Sequence, residues 1–267
     1  MATPAEERLH DNLALTRHGA IEVLRIDREA ALGALNFEIM EALGSYVTDL
    51  CARSDELRVV IITGTGRGFV AGADIAGYHG CGQAEFDGFQ RRSRQTFDAI
   101  AKLPQATICA VNGYALGGGM ELALCCDFIF MNEKARIGLP EIKLGLLPGG
   151  GGTQRLPRLV GPMRAKDILM SGRMIPADEA VALGIALESC APDALMPRVM
   201  DYAESLSATA PIALREAKRV VDDGLDAALS TGLTLEQRAL GALFATEDGK
   251  EGIDAFMNKR APEFKGR

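Results

Sequence analysis

Glu121 and Glu141 are the residues of this chain best placed to move protons. Glu121 closes the run Ala115-Leu116-Gly117-Gly118-Gly119-Met120-Glu121, and Glu141 lies inside Gly138-Leu139-Pro140-Glu141-Ile142-Lys143-Leu144-Gly145. Glycine turns let backbone approach a bound molecule where a side chain would stand in the way. A carboxyl group beside each turn can give or take a proton. Two such groups at one site suit the addition of water across a double bond. Each glutamate also has a plainer reading: Glu121 as an acidic residue in the first turn of a helix, stabilised by the helix dipole, and Glu141 as an exposed glutamate paired to Lys143 or Arg136.

Three loops surround this pair. Gly64 to Ile75 follows an apolar strand ending at Thr63, and the carboxyl end of a strand is a common binding place in open α/β sheets. The small residues Ala71, Gly72 and Ala73 are expected to leave backbone N–H groups facing a ligand. No Gly-Lys-Ser/Thr ending is present, so this is not a phosphate loop. In the second loop, Asn112 to Leu124, glycines lead from a strand into a helix and aim unpaired N–H groups at the turn, which suits an oxyanion. N–H donors from these two loops would form an oxyanion hole for a thioester enolate. The third, Leu147 to Leu156, has four consecutive glycines, Gly149 to Gly152, and reads as a turn packed on a ligand or another backbone; Glu141 before it reads as extended. His10, His18 and His79 are scattered with no serine or cysteine elbow, so a hydrolytic triad is not indicated. His79 reads as loop surface and Asp127 as structural.

The elements that must position these loops alternate between strand-like and helix-like stretches. Leu13 to Thr16 and Ile21 to Asp27 flank Arg17-His18-Gly19-Ala20 as a hairpin. Asn36 to Cys51 reads as an amphipathic helix capped by Asn36, with Ile39, Leu43, Val47 and Leu50/Cys51 on its apolar stripe. Leu57 to Thr63 and Thr107 to Val111 read as strands buried on both faces, and Cys126 to Met131 as a further strand. Glu85 to Leu103 reads as a helix burying Phe86, Phe89, Phe97 and Ile100. Beyond about residue 160 the pattern is helix after helix, with Pro162, Pro176, Pro192 and Pro211 near helix starts and Gly184 and Gly224 near helix ends. This is an α/β core followed by a helical C-terminal part.

Composition narrows the function classes. The 267 residues are 48% hydrophobic and 24% charged, as in an ordinary globular chain. The net charge of −7 and the lack of a basic block argue against nucleic acid or an anionic membrane as a partner. The six cysteines have no C-x-x-C spacing and four lie in apolar runs, so buried free thiols are expected. That usage, a polar N-terminus without a signal pattern, and no apolar run of spanning length point to a soluble cytoplasmic protein.

Taken together, these segments resemble the enoyl-CoA hydratase/isomerase, or crotonase, family. The likeness is carried by Phe69-Val70-Ala71-Gly72-Ala73-Asp74-Ile75, by Ala110-Val111-Asn112 through Glu121, by Pro140-Glu141-Ile142 through Gly149, and by Gly152-Thr153-Gln154-Arg155-Leu156. The tail Ala255 to Gly266 matches as well. The resemblance implies a crotonase-like spiral of ββα units, with residues 1–195 forming the α/β core and 196–267 a helical region for oligomerisation and CoA contacts. It implies a homotrimer, or a hexamer made of two trimers. By residue, it places Glu121 and Glu141 on the two catalytic glutamates and the Ala73 and Gly118 N–H groups in the oxyanion hole. Ala31, Ala71, Asp74, Ile75, Gly117, Phe256 and Lys259 fall on substrate- or CoA-binding positions, with Phe256 and Lys259 reaching across a subunit boundary. No metal and no cofactor beyond the CoA of the substrate are implied. Two departures stand out: Gly33 where asparagine is usual, which bears on the CoA end, and Ala106 where proline is frequent. The implied reaction is reversible syn hydration of a 2-trans-enoyl-CoA to a 3-hydroxyacyl-CoA. The alternatives are a delta3-delta2 enoyl-CoA isomerase, which needs only the glutamate matching Glu141, or a specialised hydratase or lyase for another acyl-CoA. A non-catalytic, RNA-binding role on the same fold is the reading from a different class.

Overall fold

The computed structural model describes residues 5–267. The chain opens with an antiparallel run: β1 (Glu6–His10) pairs with β2 (Leu13–His18), and β2 with β3 (Ile21–Ile26). The β2–β3 hairpin is the expected one. β1 was not expected, because Glu6 to Leu9 is exposed along its length and shows no alternation of buried residues. Helix α1 (Phe37–Ala52) starts where Asn36 marks it, the Asn36 side chain accepting the Ile39 N–H at 2.9 Å. Ile39, Leu43, Val47 and Leu50 are buried, while Cys51 turns to solvent.

From there the chain repeats one motion. β4 (Val59–Gly64) and β5 (Gly68–Val70) lead to α2 (Gln83–Ala101); β6 (Ala106–Val111) and β7 (Tyr114–Leu116) lead to α3 (Gly118–Ala123); β8 (Phe128–Asn132) and β9 (Arg136–Gly138) follow. The first strand of each turn joins a large sheet and the second a small one. After them come α4 (Gly152–Val160), α5 (Pro162–Ser171), β10 (Met174–Pro176), α6 (Ala177–Ala182) and β11 (Glu188–Cys190). The large sheet runs β1-β2-β3-β4-β6-β8-β11 and is parallel from β3 onward. The small sheet runs β10-β9-β7-β5, with β5, β7 and β9 parallel. This is the crotonase-like spiral of ββα units. The helices α7 (Leu195–Ser207), α8 (Pro211–Leu225), α9 (Leu229–Ala245) and α10 (Glu247–Met257) complete the chain.

Continuous apolar strands need two dry faces, and successive side chains point to opposite ones. In β4, Val60 and Ile62 face the core shared with α1 and α2, while Val59 and Ile61 face a second core closed by Leu195, Val199 and Ala203 of α7. β6 divides in the same way, Cys109 and Val111 to the first core, Ala106, Ile108 and Ala110 to the second. Asp127 is structural, as expected: it accepts from the Thr107 N–H at 2.7 Å and pairs with Lys218 at 2.9 Å.

Some expectations need correction. Only Cys109 and Cys125 are buried, and Cys51 is exposed, though all six cysteines are free. Phe86 is half-buried rather than core. Gly184, at φ +75°, follows α6, and Gly224 is the last residue but one of α8, both near helix ends as expected. Among the described residues no helix is long and apolar enough to cross a membrane.

Candidate active site

Three adjacent parallel strands of the small sheet deliver the site. The loop with Ala73 leaves β5, the turn Gly117-Gly118 leaves β7, and the Pro140–Leu144 turn with Glu141 leaves β9. The first loop therefore follows the short β5, which sequence reading did not separate from the strand ending at Thr63. Asn112 holds the intervening turn, accepting the Gly64 N–H at 3.0 Å and donating to the Gly66 and Gly68 carbonyls at 3.0 and 3.1 Å.

Glu121 is buried, and its carboxylate turns away from the start of its own helix. Its Oε1 accepts the N–H of Gly150 at 2.7 Å and of Gly152 at 2.8 Å. Those donors belong to the glycine turn that begins α4, so the carboxylate caps a different helix from the one that carries it. The turn needs its glycines: Gly151 sits at φ +112°, and a methyl group on Gly150 would lie 2.5 Å from the Phe97 ring. Arg155 ties the turn down, donating to the Gly150 carbonyl and to Asp98, both at 2.8 Å. Burial raises the Glu121 carboxyl above the usual range, against the lowering effect of the Gly152 and Gly150 N–H groups.

Glu141 lies in a 3-10 turn, Pro140–Leu144, and not in extended chain. Proline at the first position presets the helical φ, and Gly145 at φ +72° ends the turn. Among the described residues Glu141 forms no ion pair with Lys143 or Arg136, and its Oε2 is buried without a hydrogen bond. Burial, with a smaller contribution from the Glu121 charge, pushes its carboxyl up to about 7. Burial raises both carboxyls, but Glu121 is fastened by two N–H donors whereas Glu141 Oε2 has none, and Glu141 rises to about 7.

Gly117 brings the second turn against Glu141. Its φ is +53°, and a methyl group there would lie 2.9 Å from Glu141 Oε1. A methyl on Gly118 would lie 3.8 Å from the Ala73 nitrogen, so the two loops meet at these residues. Neither of their N–H groups has an acceptor among the described residues. Gly119 has another reason: a methyl there would lie 1.9 Å from the Val70 carbonyl oxygen, so it serves packing of β5 on α3.

The other expected contact residues divide into two sets. Ala31, Ala71, Asp74 and Ile75 lie along one edge of the site, because the Ala71 N–H donates to the Leu32 carbonyl at 3.0 Å and the Asp74 N–H to that of Leu35 at 2.8 Å. The Ala71 N–H is therefore engaged, contrary to expectation. The Asp74 side chain is engaged too, accepting from Arg28 at 2.8 Å and from the Ala76 N–H at 3.2 Å. Sequence reading missed Arg28, whose partner lies 46 residues away, and also Asn112 and Arg155 as supports. Phe256 and Lys259 lie elsewhere, exposed at the end of α10, which packs mainly on α9. His79 is exposed loop, as expected.

The model of one family, described as enoyl-CoA hydratase/isomerase, matches residues 16–267. The chain belongs to the enoyl-CoA hydratase/isomerase family. Among this family's members, it is 39% identical to a crotonyl-CoA hydratase of Syntrophomonas wolfei over 96% of this chain and 98% of that relative. It is 38% identical to a short-chain-enoyl-CoA hydratase of Clostridium acetobutylicum, over 96% of this chain and 99% of the relative. The crystal structure of an enoyl-CoA hydratase from Bacillus anthracis superposes with a TM-score of 0.94 at 37% identity, covering 96% of this chain and all of that one.

Proposed function

We propose that this chain catalyses the reversible syn hydration of a 2-enoyl-CoA to a 3-hydroxyacyl-CoA. The observation that carries the reading is the convergence of two unlike carboxyl groups, Glu121 and Glu141, with the unpaired N–H groups of Ala73 and Gly118. The two N–H groups hold the thioester oxygen and stabilise the enolate as charge builds on it. Glu141, still partly protonated near neutrality, gives its proton to the α carbon. Water adds to the β carbon and gives up a proton to Glu121, whose Oε2 receives no protein hydrogen bond among the described residues. Proton exchange between the carboxyls and solvent restores the starting state. Carboxyl acid and base with backbone donors suffice for each step, so the reading calls for no metal or further cofactor.

The substrate class also rests on the edge formed by Ala31, Ala71, Asp74, Ile75 and Gly117, which we assign to the CoA thioester. Phe256 and Lys259 would complete that contact from a neighbouring copy in a homotrimer, or in a hexamer of two trimers, built by the helical region 196–267. The exposed Leu229, Leu233, Leu240, Phe244 and Phe256 side chains of α9 and α10 support such an assembly. The six free cysteines support a reducing, cytoplasmic setting.

The test is the loss of enone absorbance when the purified protein meets crotonyl-CoA, with Glu141→Gln as the control for contaminating activity. Loss in the wild type alone is expected. No loss in the wild type, with acyl-CoA still bound, would overturn hydration and move the reading to the isomerase.

A further inference from the structure

Tyr78 lies just beyond the loop that carries Ala73, at the end of the 3-10 turn Ile75–Gly77. Its ring is clasped edge-on by Phe86 at 5.2 Å and Phe89 at 5.5 Å between centroids, and Phe37 stands 4.6 Å beyond Phe89. The loop is thus an aromatic wall with one oxygen in it. The Gln90 side-chain N–H donates to that oxygen at 3.4 Å, so the phenol's own hydrogen is directed elsewhere, and it has no acceptor among the described residues.

Gln90 also ties this wall to the glutamates. A methyl on Gly149 would lie 2.2 Å from Gln90 Oε1, so the amide packs directly on the backbone that next supplies the Gly150 N–H to Glu121. Burial pushes the Tyr78 hydroxyl up to about 12, with Glu121 and Glu141 among the groups that raise it. The phenol is therefore a neutral donor throughout the working range, within electrostatic reach of both carboxyls. Tyr78 follows Ala73 by only five residues, so the wall adjoins the loop that would hold the thioester oxygen.

We propose that the Tyr78 hydroxyl is the specificity group of an acyl-end subsite, favouring 2-enoyl-CoA substrates with a neutral oxygen beyond the β carbon. This rests on the hydratase reading for the placement of the thioester. An apolar tail reaching the wall leaves a half-buried hydroxyl without a partner, which a site with a donor disfavours. An ether or carbonyl oxygen in the tail accepts that hydrogen. An anionic end group is disfavoured by the like charge of Glu121.

The experiment compares the near-isosteric pair 4-methoxybutyryl-CoA and hexanoyl-CoA by equilibrium binding to wild type and Tyr78→Phe. It repeats the comparison with the corresponding 2-enoyl thioesters by kcat/KM. Phenylalanine keeps the ring and its edge contacts, so the fold is retained. The expected result is a ratio of ether to alkyl affinity that drops about fivefold to tenfold in Tyr78→Phe, through weaker binding of the ether ligand and equal or tighter binding of the alkyl one. Equal weakening of both ligands, or an unchanged ratio, overturns the subsite. A shifted binding ratio with no hydration of either enoyl probe keeps the subsite and overturns the hydratase reading. Hydration without a shifted ratio does the reverse.

Discussion

Replacing Glu141 by glutamine is expected to stabilise the fold at alkaline pH while removing turnover. Burial raises this carboxyl from an ordinary value near 4.5 to about 7. The folded state therefore holds a proton that the unfolded chain releases between those two values. Stability contributed here is intact below about pH 4.5, falls as pH rises, and is fully lost above about pH 7. A displacement of this size corresponds to about 3 kcal/mol, which partial exposure reduces to about 1–2 kcal/mol. Glutamine imitates the protonated carboxyl at every pH, so the variant should gain that amount at pH 8 and much less at pH 5. In a chain of this length the gain is about 2–6 °C in Tm. The assay is calorimetry of both proteins at pH 5 and pH 8, at matched concentration, beside the crotonyl-CoA assay. Equal Tm differences at the two pH values, or a less stable variant at pH 8, would refute the burial argument. Near-normal turnover would remove Glu141 from the mechanism.

Three other substitutions probe the supports of the site. Glu121→Ala leaves the Gly150 and Gly152 N–H groups buried without an acceptor, and urea unfolding should show a loss of about 2–4 kcal/mol, with Glu121→Gln losing much less. Gly117→Ala puts a methyl 2.9 Å from Glu141 Oε1 at a φ of +53°, and steady-state kinetics should show at least ~100-fold lower kcat. Arg28→Ala releases Asp74 beside Ala73, and kcat for crotonyl-CoA should fall about tenfold, with Arg28→Lys recovering only part because it cannot also reach the Ala34 carbonyl.

What was legible from sequence was what local pattern encodes. Asn36 and the Ile39-Leu43-Val47-Leu50 stripe announce α1, a β-branched run announces β4, and a run without charged residues announces β6. The two glutamates and the N–H groups of Ala73 and Gly118 come from glycine turns and resemblance, and in the structure Gly117 lies against Glu141 and Gly118 near Ala73. The strands of the small sheet were not found: β5, β7, β9 and β10 have three residues each, too few for a period of two to show. Between Pro140 and Ile142-Lys143-Leu144 Glu141 reads as extended, but Pro140 is the first residue of a 3-10 turn. The Arg28–Asp74 pair and the grip of Gly150 and Gly152 on Glu121 span 46 and 29 to 31 residues. Contacts of that reach depend on how the spiral stacks, which no local window contains.

The polar groups that hold Glu121 are the backbone N–H groups of Gly150 and Gly152, and those proposed to hold the thioester oxygen are the backbone N–H groups of Ala73 and Gly118. No side-chain replacement other than proline deletes such a donor. What limits the residue at Gly150 and Gly152 is therefore volume and not chemical character: a methyl at Gly150 meets Phe97 and Glu121 Oε2 at 2.5 and 2.8 Å, and one at Gly152 meets Leu139 at 2.9 Å. A site built this way stores much of its chemistry in the path of the chain. Its signature in sequence is a run of residues that carry no chemistry at all.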